Sequence, residues 1–201
     1  MIAMTLADIN YAVVLRGPLL TRFTDEEFFQ LCQQNPDLRL ERSTDHELIA
    51  MPPAGAESSR KSGEVYAQLW LWNRQHQLGY VFDCSAGFTL PDGSVRSPDA
   101  SWVPKAAYDA VGEEQKQRFP ALCPAFVAEV RSPSDGLTAL RRKMESYLEN
   151  GVQLGFLLDP SSETATIYRP HQEPEEVSSF DGSLSAEPVL PGFALDLRPL
   201  R

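Results

Sequence analysis

The chain has 201 residues, 42% of them hydrophobic and 23% charged, which suits one well-buried domain and excludes wholesale disorder. Its net charge of −10 excludes a general nucleic-acid coat, because many phosphate contacts need a positive footprint, but it leaves room for a small local basic face. No apolar run approaches the ~20 residues of a membrane span.

The start, MIAMTLADINYAVVL, lacks a basic n-region and carries Asp8, so no signal peptide is expected. Residues 1–20 show no clear period and read as a loosely attached lead-in to a single domain spanning 1–201. Thr24 and Glu27 have the capping-box spacing, which predicts a helix running to about Gln34, where Asn35-Pro36 ends it. Residues 38–42 and 47–51 read as a hairpin around Ser43-Thr44-Asp45, with Glu41 on its first strand. From about 57 to 77 no proline occurs and Val65, Leu69 and Trp72 recur at helical spacing. Tyr66 and Trp70 beside them predict a largely covered helix, and Trp70, Trp72 and Trp102 are all assigned to the core. Ser58, Ser59, Arg60 and Lys61 sit in the first turn, near the positive end of the dipole.

Beyond Gly79, residues 80–84 and 87–90 are short strands, and Pro91-Asp92-Gly93 is a turn. Pro98-Asp99 opens the next strand, residues 105–118 form an exposed helical insert, and 125–130 form a compact strand. An amphipathic helix over 137–150 presents Leu140, Met144, Tyr147 and Leu148 to the core, with Gly151 as its stop. Residues 154–158 and 165–168 pair as a hairpin, and the Pro/Ser/Gly-rich tail carries one late strand near 194–197. Strands mixed with three helices predict an α/β or α+β sheet with helices on its faces.

The chemistry concentrates in residues 97–143. Asp99 and Glu129 each lie in a short apolar, β-branched run, where a carboxylate is costly unless it is paired or binds a metal. If their strands are neighbours, both acids reach one sheet edge and, with the Val130 carbonyl, suit a hard cation such as Mg²⁺. Each acid also has a plain reading: Pro-Asp starts many turns, and Glu129 has Arg131 within salt-bridge reach. Arg131 stays charged and could stabilise a phosphate or face solvent. Lys143 could reach the sheet edge, or belong with Arg141 and Arg142 to a solvated helix face. Glu41 is a third candidate acid, with Arg42 as an easy structural partner. Cys32, Cys84 and Cys123 form no C-x-x-C, and His46, His76 and His171 are scattered. Neither a disulfide framework nor a zinc site is expected, and a reducing compartment, the cytoplasm, fits.

The order of a PD strand followed by a strand with E-x-[basic] resembles the PD-(D/E)xK restriction-endonuclease-like superfamily. SPDASWV, FVAEVRSPSD, the K-x-x-x-Y helix and GVQLGFLLDP are together similar to the Uma-type endonuclease family, from about Phe23 to Leu197. The resemblance implies a mixed central sheet flanked by helices, with an N-terminal helix and extra β-hairpins. It implies Mg²⁺- or Mn²⁺-dependent hydrolysis of DNA, with a homodimer as a reasonable expectation. By position it assigns Asp99 and Glu129 to the motif acids and Glu41 to the acid of the first hairpin. The motif lysine falls at Arg131, a departure for which Lys143, on the next helix, is the replacement. The rim for DNA would come from Arg60, Lys61, Arg74, Arg141 and Arg142. The competing expectation is a nuclease fold that keeps its acids for stability and acts as a binding or assembly module. Glycoside hydrolysis by the acid pair ranks third, since no aromatic-rich sugar cleft is evident.

Overall fold

In the computed structural model, which describes residues 12–20 and 23–201, the chain opens with β1 (Val13–Leu15) and α1 (Asp25–Gln34). The hairpin of β2 (Arg39–Arg42) and β3 (Leu48–Met51) leads into the 21-residue α2 (Ala56–His76). Four short strands follow: β4 (Gly79–Asp83), β5 (Phe88–Thr89), β6 (Val95–Arg96) and β7 (Ala100–Pro104). Two short helices, α3 (Lys105–Asp109) and α4 (Glu113–Lys116), precede β8 (Phe126–Val130), α5 (Leu137–Glu149), β9 (Leu154–Asp159) and β10 (Thr164–Tyr168). The chain closes with β11 (Glu175–Val177), β12 (Ser183–Ser185) and β13 (Ala194–Asp196).

The strands form a six-stranded sheet ordered β11-β10-β9-β8-β7-β4, a five-stranded sheet ordered β1-β3-β2-β6-β5, and the β12–β13 pair. Only β8 and β9 run parallel among the named strands of the six-stranded sheet, and α5 is their crossover. The expected mixed sheet flanked by helices is therefore present.

β8 is buried at every position, because both its faces are covered. Strand alternation sends Phe126, Ala128 and Val130 to one face, where Val65, Leu69 and Trp72 of α2 pack. It sends Val127 and Glu129 to the other, where Met144 and Tyr147 of α5 pack. Gly155 lets α5 lie close on β9, since a Cβ there would collide with the Met144 methyl. Fully covered strands read as continuous apolar runs, which makes the acid inside this one conspicuous.

α1 begins with the expected capping box: Thr24 Oγ1 accepts the Glu27 N–H at 3.2 Å and Glu27 Oε2 accepts the Thr24 N–H at 2.8 Å. Four expectations change. Of the lead-in, residues 1–11 lie outside the described residues, but Val13–Leu15 pairs with β3 as an antiparallel edge strand. The 105–118 insert is two short helices. The tail is far more ordered than one strand: Phe180, Leu184, Leu190, Leu195 and Leu200 are buried against the α2 face. Its apolar residues alternate with turns, so no strand is long enough to show a period. Trp72 and Trp102 are core, whereas Trp70 is 39% exposed beneath the Arg74 guanidinium, so α2 is not covered all round. Among the described residues no helix is long and apolar enough to cross a membrane.

Candidate active site

β7 and β8 pair antiparallel with Ala100 opposite Ala128. Extending that register by one residue sets Asp99 opposite Glu129, on the same face, and facing residues of this kind have Cβ atoms about 5 Å apart. Asp99 is held there by the Val130 N–H, which donates to its Oδ2 at 2.9 Å. Both acids line a cleft of about 510 Å³, together with Val130, Lys143, Arg39 and the loops at 52–55 and 132–135.

Glu129 points at α5. Lys143 and Tyr147, one helical turn apart, both reach its Oε1: the ammonium at 2.8 Å and the phenol, as donor, at 3.0 Å. Lys143 also contacts Glu41 Oε1 at 2.9 Å, so one ammonium sits between two buried carboxylates. The Lys143 in this cluster is thus not part of a solvated helix face. Glu41 lies behind Lys143 and outside the cleft lining. It accepts the Ser97 N–H at 3.0 Å and pairs with Arg96 at 3.1 Å. It thereby braces the segment that carries Asp99. Its sequence neighbour Arg42 projects to the opposite face, where it meets Asp25, the Gly93 carbonyl and the Phe28 ring.

Arg131 does not reach Glu129. β8 ends at Val130, and the guanidinium turns to Asp159 Oδ2 at 2.6 Å and the Asp135 carbonyl at 3.1 Å. None of Arg60, Lys61, Arg74, Arg141 and Arg142 lines the cleft. Arg60 pairs with Glu57 and the Pro199 carbonyl, and Arg141 with Glu176. The sequence reading missed Arg39. Its Nη2 donates to the Ser97 carbonyl at 2.7 Å and its Nη1 stands 3.6 Å from Asp99 Oδ1. The signal available was its place two residues before Glu41 on one strand face.

The charges do not balance evenly. Burial, opposed by Lys143 and reinforced by Asp99 and Glu41, pushes Glu129 up to about 7. Burial also acts against ionised Glu41, yet Lys143, Arg96 and the Ser97 amide outweigh it and hold that acid down to about 2. Burial works against the Lys143 ammonium too, but Glu129 and Glu41 overcome it and raise its pKa. One consequence is measurable. Glu129 binds its proton more tightly folded than at its ordinary 4.5, so it favours the folded state at low pH, and that contribution is lost as pH rises through about 7. Without metal, stability should fall by up to roughly 3 kcal/mol from this group between pH 4.5 and 7. Urea titrations in chelator at both ends of that window check it, with Glu129→Gln flattening the slope.

Among the described residues, Glu129 Oε2 and Asp99 Oδ1 accept no hydrogen bond, so each acid keeps one oxygen for a ligand in the cleft. No three His, Cys, Asp or Glu residues cluster as a ready metal shell among the described residues. Two carboxylates without nitrogen or sulfur donors fit Mg²⁺ or Mn²⁺, which keep waters and take substrate phosphate oxygens, and do not fit the closed shell of structural Zn²⁺.

The model of the Uma2 family, described as "Putative restriction endonuclease", matches residues 25–198. The chain is also similar to a solved structure described as "a putative nuclease belonging to DUF820 from Anabaena variabilis". The two are 22% identical with a TM-score of 0.73, over 89% of this chain and 97% of that one, which is a likeness of fold. No curated protein matches. With the family model covering most of its length and the same fold in a solved neighbour, the chain belongs to the Uma2 family and has a restriction-endonuclease-like fold.

Proposed function

We propose that this protein is a metal-dependent endonuclease that hydrolyses DNA phosphodiester bonds. The observation that carries the reading is the acid pair: Asp99 and Glu129 in facing register at one cleft, each with an oxygen uncommitted. Asp99 and Glu129 would hold Mg²⁺ or Mn²⁺, with Val130 lining the same site. When bound, such an ion supplies Lewis acidity to the phosphate and lowers the pKa of a bound water. Tyr147 and Lys143 fix Glu129 by its Oε1 and leave Oε2 uncommitted. Lys143 stays protonated between two carboxylates, so it acts as a fixed charge and not as a base. In the reaction a water oxygen bonds to phosphorus, the bond to the leaving sugar oxygen breaks, one water proton goes to solvent, and the leaving oxygen takes one up.

The cytoplasm is part of the proposal, and the three unbonded cysteines accord with a reducing compartment. So is a homodimer, since one site cuts one strand and a duplex break needs two. The competing reading, a nuclease fold kept as a binding or assembly module, draws support from the net charge of −10 and from the cleft's lack of the expected basic rim. Supercoiled plasmid incubated with purified protein separates them. Nicking with Mg²⁺ or Mn²⁺ that stops on chelation supports the nuclease. Intact plasmid, together with calorimetry showing no ion binding at millimolar concentration, supports the module.

A further inference from the structure

Phosphoryl transfer needs a cation facing the non-bridging oxygens as well as an ion shared by the acids. Arg131, which the sequence places nearest the acids, is committed to Asp159 and the Asp135 carbonyl. Arg96 lies behind Glu41 and is not part of the cleft lining. Lys143 does line the cleft, but its ammonium is taken by Glu41 and Glu129.

Arg39 is different. It is the one arginine among the cleft-lining residues described, and its side chain keeps 31% exposure. A single strong bond, Nη2 to the Ser97 carbonyl, anchors the guanidinium to the segment carrying Asp99. Nη1 is 3.6 Å from Asp99, too far for a hydrogen bond. Nε also has no acceptor among the described residues, but it is buried and does not face the cleft. Nη1 therefore holds its N–H groups in reserve beside the acid pair, and an uncommitted charged donor at such a place can serve a ligand. A guanidinium anchored through Nη2, with Nε buried, presents Nη1 in a fixed place, where it can donate to a phosphate oxygen. A further depression borders the same side chain. A second depression of about 540 Å³, on the side of Cys84 and Phe119, shares Arg39 and residues 51–54 with the first. A strand lying along both would carry its backbone across Arg39.

We propose that Arg39 is a catalytic residue that binds a non-bridging oxygen of the scissile phosphate and offsets the charge developing there. It gains and loses no proton: the water oxygen bonds to phosphorus, the leaving-oxygen bond breaks, and Arg39 only donates hydrogen bonds throughout. This rests on the nuclease reading above.

The test is plasmid nicking in Mg²⁺ or Mn²⁺ by wild type, Arg39→Gln and Arg39→Lys, with ion affinity measured separately by calorimetry. Arg39→Gln should lower kcat on the order of 10²- to 10³-fold with little change in KM. Arg39→Lys, which keeps the charge and loses the fork, should recover only part of that loss. Ion affinity should hold or tighten in both variants, because a neighbouring positive charge is removed or moved. If Arg39→Gln fails to fold, Arg39→Lys carries the comparison. Near-normal kcat in the folded variants overturns the proposal. So does a loss of ion affinity that parallels the loss of rate, which would make Arg39 a brace for Asp99. If wild type binds the ion but nicks nothing, the nuclease reading itself falls, and this role with it.

Discussion

Asp99→Asn should reduce DNA cleavage about a thousandfold while the protein stays folded. The amide keeps an oxygen that can accept the Val130 N–H, so the tie between β7 and β8 survives. What it loses is the negative charge facing Glu129 across the cleft. A Lewis-acid ion contributes several kcal/mol to the transition state, and about 1.4 kcal/mol corresponds to each tenfold in rate. If the acid pair holds the ion as proposed, losing one of its two anionic ligands should therefore remove about three powers of ten. Ion binding by calorimetry should weaken in step. A mutant that cuts at near wild-type rate would mean that the ion, or the reaction, lies elsewhere.

Lys143→Met should be the most destabilising substitution in the site. It removes the ammonium from between Glu41 and Glu129, both nearly inaccessible to solvent, and leaves Glu129 either a buried unpaired anion or forced to take up a proton. Stripping one member from a buried ion cluster typically costs 3–5 kcal/mol, about the size expected here. In a chain of this length that corresponds to a melting temperature lower by roughly 10 °C. Arg96 still serves Glu41, so the strain falls mainly on Glu129, whose proton affinity rises further. The double variant with Glu129→Gln should recover part of the loss, a non-additivity that reports the contact directly. Urea denaturation of the four proteins at neutral pH reads both effects. A single-variant cost below about 1 kcal/mol would put Lys143 on the surface.

Much of this was legible because it is local. The acid inside FVAEV, the K-x-x-x-Y spacing on α5 and the Thr24 cap depend on neighbours within a turn or one strand pair. Glu41 was legible as an acid but not as a brace, since its partners Ser97, Arg96 and Lys143 come from distant segments. Arg131 misled for a geometric reason. Two residues after Glu129 it should share that face, but the strand stops at Val130 and alternation stops with it. Arg39 was hidden among charged residues on an ordinary hairpin, and only the fold brings it against Ser97 and Asp99. The tail was misjudged because leucines set among turns give no periodic signal, although their burial covers α2.

β8 is sealed on both sides, whereas the cleft walls at 52–55 and 132–135 are irregular loops that carry no strand register. Sequence drift in those loops can therefore reshape what enters without moving the acids by more than the strand allows. Under the proposed nuclease function, target choice can thus diversify separately from the chemistry, and swapping either loop between relatives should alter selectivity before it alters turnover.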